Sequence, residues 1–252
     1  MQSTARTASE RLARRTACIL LAAHATANAA EGRAVCPSLT VAAGWIHLNP
    51  RSSSGPLVLR EANGVPVNMP QAGTGVRALS ADTVLLTAEC AANDNWSLQF
   101  VFGVPPNSKL AGSGALDGAG VIGEGRQYSP TWLLKYCFGA PADSVRPFVG
   151  LGFSYTFFRQ SRITNGAFRS ATYGPNATTD VAASSSWNPA YNAGLKFRIS
   201  DAWSVDTGLG YAPVKTRITV IADNTQAGVP LKVTSEMRMR TIGTSVTLNR
   251  RF

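Results

Sequence analysis

Eight stretches of this chain alternate large apolar residues with small or polar ones at a period of two. That period marks a two-sided strand, because successive side chains of a strand point to opposite faces. The clearest stretch runs from 203 to 212. Trp203, Val205, Thr207, Leu209 and Tyr211 fall on one face, and Ser204, Asp206, Gly208, Gly210 and Ala212 on the other. Val149, Leu151, Phe153, Tyr155 and Phe157 likewise alternate with Phe148, Gly150, Gly152, Ser154 and Thr156. Trp187, Tyr191, Ala193, Leu195 and Phe197 oppose Asn188, Asn192, Gly194, Lys196 and Arg198. In the last stretch Ile242, Val246, Leu248 and Phe252 oppose Thr241, Gly243, Ser245 and Asn249.

A soluble sandwich also alternates, but it buries its bulky face and covers the other with charge. Here only 15% of residues are charged, too few to cover a second surface. The bulky faces are rich in aromatics and the opposite faces are small. A narrow barrel in lipid needs that arrangement, with bulk outside and small groups within. The longest apolar run, Ala17 to Ala23, is far short of the roughly 20 residues of a spanning helix. Any crossing of a membrane therefore falls to strands.

The connections agree. Asn93 to Asn95, Gly139 to Ser144 and Ser200 to Ala202 are short, whereas Arg51 to Ala78, Val104 to Arg126 and Gln160 to Ser185 are long. Short and long links alternate, as in a meander with tight periplasmic turns and long outer loops. Trp96, Trp132, Trp187 and Trp203 sit near strand ends, where a membrane interface favours them. Phe252, after an alternating strand, is an assembly-signal residue on this reading. The expected fold is all-β, an eight-stranded antiparallel up-and-down transmembrane β-barrel over residues 30–252.

Met1 to Arg15 is basic, Thr16 to Ala27 is short and apolar, and Ala27-Asn28-Ala29 is an A-x-A site. Residues 1–29 are thus expected to be a secretory signal peptide. Arg6, Arg11, Arg14 and Arg15 supply part of the +10 net charge from this segment. The rest is spread, with no basic run interleaved with aromatics, so no nucleic-acid partner is expected. Export leaves Cys36, Cys90 and Cys137. No C-x-x-C spacing suggests a metal, and neither metal nor cofactor is expected. Cys36 and Cys90 belong at the same end of adjacent strands, where both a disulfide and separate thiols remain open.

The order of motifs resembles the OmpW family from Gly44 to Phe252. Gly44-Trp45-Ile46-His47-Leu48-Asn49-Pro50 looks like its first strand, and Asn93-Asp94-Asn95-Trp96 like its first periplasmic turn. Gly103-Val104-Pro105-Pro106 and Tyr128-Ser129-Pro130 follow in register. Arg146-Pro147-Phe148-Val149-Gly150-Leu151-Gly152 is the most specific block. Cys137 departs from the aromatic or polar residue usual there, and Asn249-Arg250-Arg251-Phe252 departs from the usual Tyr-Arg-Phe. The resemblance implies a barrel of the bacterial outer membrane that assists small hydrophobic molecules across it. It implies as partners the outer-membrane lipids and lipopolysaccharide, hydrophobic solutes and the barrel-assembly machinery. A structural barrel, or a receptor for phage or bacteriocin without transport, is the alternative. No catalytic residues carry over.

The residues add a mechanism. Glu89, Lys135, Lys196, Arg198 and Asp206 face inward within a few residues of the periplasmic turns, and are expected to pair into a charged floor. Above them Leu85, Val101 and Leu133, with Gly150, Gly152, Gly208 and Gly210, are expected to make the lining apolar or small. A solute stopped by that floor must leave sideways. Pro189 and Pro213 lie equally far from Asp201, hence opposite each other, and proline gives no N–H to a ladder. They mark an expected lateral seam. An enzyme is the remaining rival; the one mature histidine, His47, shares a face with Trp45 and has no acidic neighbour in sequence.

Overall fold

The computed structural model describes residues 36–252. The segment expected to be a signal peptide lies outside the described residues. Eight strands close into a ring: β1 (Ser38–Ser54), β5 (Ala81–Ala91), β6 (Trp96–Gly103), β9 (Thr131–Cys137), β10 (Val145–Ile163), β12 (Ser186–Arg198), β13 (Trp203–Asp223) and β14 (Leu231–Arg251). Each pairs antiparallel with the next, and β14 returns to β1 from Thr40↔Arg251 to Ser54↔Met237. Closure leaves no free edge around the lower part of the ring, where every strand is paired on both sides and lipid meets no unpaired backbone.

The ladders fix the tilt. Trp203 leads through Arg250, Val41, Ala88, Phe100, Trp132 and Phe153 to Pro189. Continued in the same register, Pro189 faces Pro213 on β13, ten residues above the start. A stagger of that size obliges the strands to tilt strongly against the barrel axis. The outward residues are large and exposed, among them Trp45, Val84, Leu98, Leu134, Leu151, Phe153, Trp187, Leu209 and Leu248. Exposure of so many bulky apolar groups in a belt is stable only against an apolar solvent.

Local chemistry makes the tight turns. The Asn93 side-chain oxygen accepts from the backbone N–H groups of Asn95 and Trp96. Ser200 Oγ accepts from the backbone of Trp203. Such side-chain bonds offer the chain an alternative to the ladder and so end the strand.

The long outer links differ from expectation, because they are ordered strands. The first holds β2 (Leu57–Ala62), β3 (Val65–Gln71) and β4 (Thr74–Ala78), the second β7 (Asn107–Gly114) and β8 (Val121–Tyr128). The third holds α1 (Gly166–Tyr173) and β11 (Thr178–Ala183). β2 joins the upper half of β14, β11 the upper half of β13, and β8 the upper half of β10. The wall thus continues above the barrel on the long strands, where β13 and β14 run 21 residues each. It is low at β6 and β9, which have only 8 and 7. Two apolar clusters fill this extension. Val76, Ile122, Val214, Met237 and Met239 form one, and Tyr173, Ala177, Val220, Ala222 and Val233 the other. Burial in the second pushes the Tyr173 phenol up to about 12.

Candidate functional site

Inside the lower barrel a charged network crosses the lumen. Lys135 Nζ, on β9, stands 3.1 Å from Glu89 Oε2 of β5 and 3.0 Å from Asp206 Oδ2 of β13. Lys196 Nζ, on β12, reaches Glu89 Oε1 at 3.6 Å. Neutral groups complete the set. Ser97 Oγ and Gln99 Nε2 donate to Glu89 at 2.9 and 3.4 Å, and Asn249 Nδ2 donates to Asp206 at 2.8 Å. The ring of Phe148 lies 4.0 Å from the Lys135 ammonium. Two carboxylates thus meet two ammoniums, and the carboxylate oxygens also accept neutral donors. Buried charge is tolerable only under such saturation.

The strand alternation delivers these groups. Glu89, Ser97, Gln99, Lys135 and Asp206 are all buried at inward positions of their strands. Register then sets the height: Glu89 faces Gln99, and Ser97 faces Lys135. Phe148 needs a slot, which the facing pair Gly194 and Gly208 supplies. A Cβ on Gly194 would lie 2.1 Å from the Thr207 carbonyl oxygen and 2.6 Å from Phe148 Cζ.

Two spaces are separated by this floor. Below, a vestibule of about 130 Å³ is lined by Glu89, Lys196, Arg198, Arg146 and Arg251. Above, a cavity of about 440 Å³ begins at Lys135 and Asp206 and is lined by Ile46, Leu48, Leu85, Val101, Leu133 and Phe148. The same lining also carries Thr87, Gln99, Ser154, Thr156, Asn192, Ser245 and Thr247. It is therefore less apolar than expected, with hydroxyl and amide groups among the apolar ones. Ser154 Oγ and Asn192 Oδ1 are buried there with no hydrogen-bond partner among the described residues. Val214 lines the top of the cavity and packs in the cluster with Met237 and Met239. Beyond that cluster lies a smaller apolar space of about 90 Å³, lined by Leu57, Phe158, Ile163, Phe168 and Val220.

The side wall is interrupted. The β12–β13 ladder runs from Arg198↔Ser204 only as far as Tyr191↔Tyr211. β13 next finds a partner on that side at Thr216 and Arg217, which bond Ser184 just past the end of β11, and the β11 ladder follows from Ile218↔Ala183. Pro189 and Pro213 fall in the interval. Outward-facing Tyr191, Leu209 and Tyr211, at its lower edge, line the 440 Å³ cavity together with Ala212.

The match to known proteins accords with this architecture. The sequence model described as the OmpW family matches residues 43–245. The chain belongs to the OmpW family. It is a bacterial outer-membrane β-barrel, and family and fold are those of outer-membrane barrels rather than of enzymes. It is 34% identical to Outer membrane protein W of Vibrio cholerae over 146 residues, 56% of this chain and 64% of that protein. It is 30% identical to the dibenzothiophene metabolism operon protein PahQ of Pseudomonas aeruginosa over 50% of this chain and 53% of that one. The chain thus spans between about half and two thirds of the length of these curated relatives. The crystal structure of OprG from Pseudomonas aeruginosa superposes with a TM-score of 0.72 at 21% identity, covering 85% of this chain and 95% of that one, a likeness of fold.

In this OmpW-family barrel four of the five expected floor residues meet, and Arg198 does not. Its guanidinium is 3.1 Å from Asp201 Oδ1 in the turn below, at the mouth of the vestibule. The turn carboxylate lies three residues away and captures it before it can reach Glu89. Ser97, Gln99, Phe148 and Asn249 belong to the floor and were not expected there. His47 gains an acidic partner that its sequence neighbourhood lacks, because β1 and β5 place Asp82 directly opposite, 2.9 Å from Nδ1. Both are exposed on the outer wall, away from the lumen. Phe252 donates its backbone N–H to Leu39 O at 2.8 Å, and the Arg250 guanidinium stands 4.9 Å from its ring. Cys90 lies opposite Leu39 at the lower end of β5, and the Cys137 thiol is free and buried.

Proposed function

We propose that this barrel assists small hydrophobic molecules across the outer membrane and releases them sideways into the bilayer. The observation that carries the reading is the lumen itself. A cavity of about 440 Å³ stands over a saturated charged floor, and its wall lacks a ladder beside Pro189 and Pro213. A volume of that size suits a small organic molecule. Polar solutes gain little from the apolar upper lining, and an apolar solute cannot cross the ion pairs without breaking them. The outward side chains at the seam offer it a continuous greasy route into lipid. A relative named for a dibenzothiophene metabolism operon supports an aromatic hydrophobic substrate class.

The test is uptake of a labelled small hydrophobic compound by cells with an intact outer membrane, with and without this protein. Faster uptake without added leak of sugars or ions supports the reading. Equal uptake, with the barrel folded in the outer membrane, defeats it. One feature favours the receptor alternative. β3 is the outer edge of its sheet, every residue of it is exposed, and it presents Val65, Val67 and Met69 to solvent. An edge of that kind is a template for strand addition by a partner protein.

A further inference from the structure

On the outer wall shared by β1, β14 and β13, four cations stand in two adjacent rows. Arg51 lies directly opposite Arg240, and Lys215 directly opposite Arg238. All four are exposed. Directly opposed residues in an antiparallel ladder sit about 5 Å apart at Cβ, diagonal ones about 7–8 Å, and opposed like charges are destabilising. The sheet therefore holds two like-charge pairs side by side. Among the described residues none of the four has a hydrogen-bond or ion-pair partner. The neighbouring acids have closer partners. Glu236, one row above, is bonded by Arg217 at 2.8 Å and feels the Arg238 charge only at longer range, and Asp82 on β5 is held by His47 at 2.9 Å.

The height of the patch narrows what can neutralise it. Arg250, near the lower rim, stands over Trp203 at 5.5 Å, and Arg240 lies ten residues further up β14. An apolar band about 25 Å tall, crossed by tilted strands rising about 3.3 Å per residue, takes roughly ten residues. The cations thus begin where the outer edge of the band ends. Beneath them Tyr211, Ile242, Leu209 and Val246 face outward and are exposed.

We propose that Arg51, Lys215, Arg238 and Arg240 form a binding site for the phosphates of the phosphorylated glycolipid of the outer leaflet, lipopolysaccharide, whose acyl chains run down over Ile242, Leu209 and Val246. Guanidinium groups match phosphate oxygens as paired donors, and a basic cluster at headgroup level attracts anionic lipid. A bound phosphate would turn the two repelling pairs into a bridged set. The site adjoins the seam, because Arg240 lies opposite Pro213, but lipid binding there does not require solute passage through the lumen. A third like-charge pair, Arg126 opposite Arg159, lies elsewhere, on β8 and the upper half of β10, and has a comparable acid two residues along its strand, Glu124, bonded to Arg162 at 2.6 Å. It provides a control of equal charge.

The test titrates the purified barrel in micelles with lipopolysaccharide, with dephosphorylated lipopolysaccharide and with inorganic phosphate. The double variant Arg238→Gln/Arg240→Gln is expected to bind lipopolysaccharide at least tenfold more weakly than the natural protein. Arg126→Gln/Arg159→Gln is expected to lose less than threefold. The dephosphorylated lipid should bind all forms weakly, and millimolar phosphate should not compete. Equal loss in the two double variants, or unchanged binding after Arg238→Gln/Arg240→Gln, overturns the site. Competition by inorganic phosphate alone overturns the lipid assignment. Folding is followed by heat-dependent gel mobility. Should the first variant not fold, Arg51→Gln/Lys215→Gln, which leaves one cation in each opposed pair, takes its place with the same outcomes.

Discussion

The Lys135 ammonium lies 3.0 Å from Asp206 Oδ2 across the inside of the barrel, with the Lys135 side chain 1% exposed. The same ammonium also serves Glu89, so removing it strands two buried carboxylates with only Lys196 in reach of one. Lys135→Met should cost about 3–5 kcal/mol, as expected for a buried pair broken from one side. Adding Asp206→Asn should recover much of the loss, because the remaining Glu89–Lys196 pair is balanced. Urea unfolding followed by heat-dependent gel mobility measures both. A single variant as stable as the natural protein would show that the floor contributes no stability.

Pro189 and Pro213 share an interval of wall without a ladder. Alanine at both positions restores two backbone donors, and the register already in place lets strands β12 and β13 zip further. Hydrophobic uptake is expected to fall severalfold while the amount of folded barrel is unchanged. Uptake at the natural rate with the ladder restored, as read by amide hydrogen exchange, would exclude this seam as the exit.

Gly194 is required by space. Its Cβ would meet the Thr207 carbonyl oxygen and the Phe148 ring, whereas a Cβ on Gly118 would meet nothing within 4 Å. Gly194→Ala should destabilise the barrel by about 1–3 kcal/mol, the usual cost of overpacking. Gly118→Ala should leave it unchanged. The midpoint of urea unfolding separates the two.

The ring was legible in the sequence because its strands face two different solvents, so the period of two is loud. Charged residues at inward positions were legible for the same reason, and Glu89, Lys135, Lys196 and Asp206 do meet. Alternation gives the face of a residue but not its height. Arg198 therefore looked like a floor residue until the turn placed Asp201 beside it. The polar groups Ser97, Gln99 and Asn249 stayed silent because their role depends on register between strands far apart in the chain. The outer strands were missed for another reason. β2 shows no clean alternation of buried and exposed residues, and β3 is exposed throughout, so neither writes a two-sided pattern.

Cys36 and Cys90 are disulfide-bonded in the structure, and the same bridge is expected in the exported protein. Cys90 faces Leu39 at the lower end of β5, three residues beyond Cys36 in sequence on β1, and the periplasm is oxidising. Cys137, buried and free, is the thiol left over. Alkylation of the unfolded, unreduced protein should therefore label one cysteine, and labelling after reduction should reach three. Labelling of all three before reduction would exclude the bridge.

His47 and Asp82 form the one His–carboxylate pair among the described residues, and the pair invites a catalytic reading. A histidine held by an acid activates a nucleophile only when its other ring nitrogen reaches a hydroxyl or thiol. Among the described residues Asp82 is the hydrogen-bond partner of His47, and the ring stacks on Trp45 at 6.1 Å. Both residues face outward, one strand away from the lumen wall that the solute would touch. An exposed pair of this kind adds at most about 1 kcal/mol. His47→Ala is therefore expected to leave hydrophobic uptake within twofold of the natural protein, with folded barrel in normal amount. A loss of uptake beyond tenfold in folded protein would mean that the outer wall at β1 and β5, and not only the lumen, takes part in moving the solute.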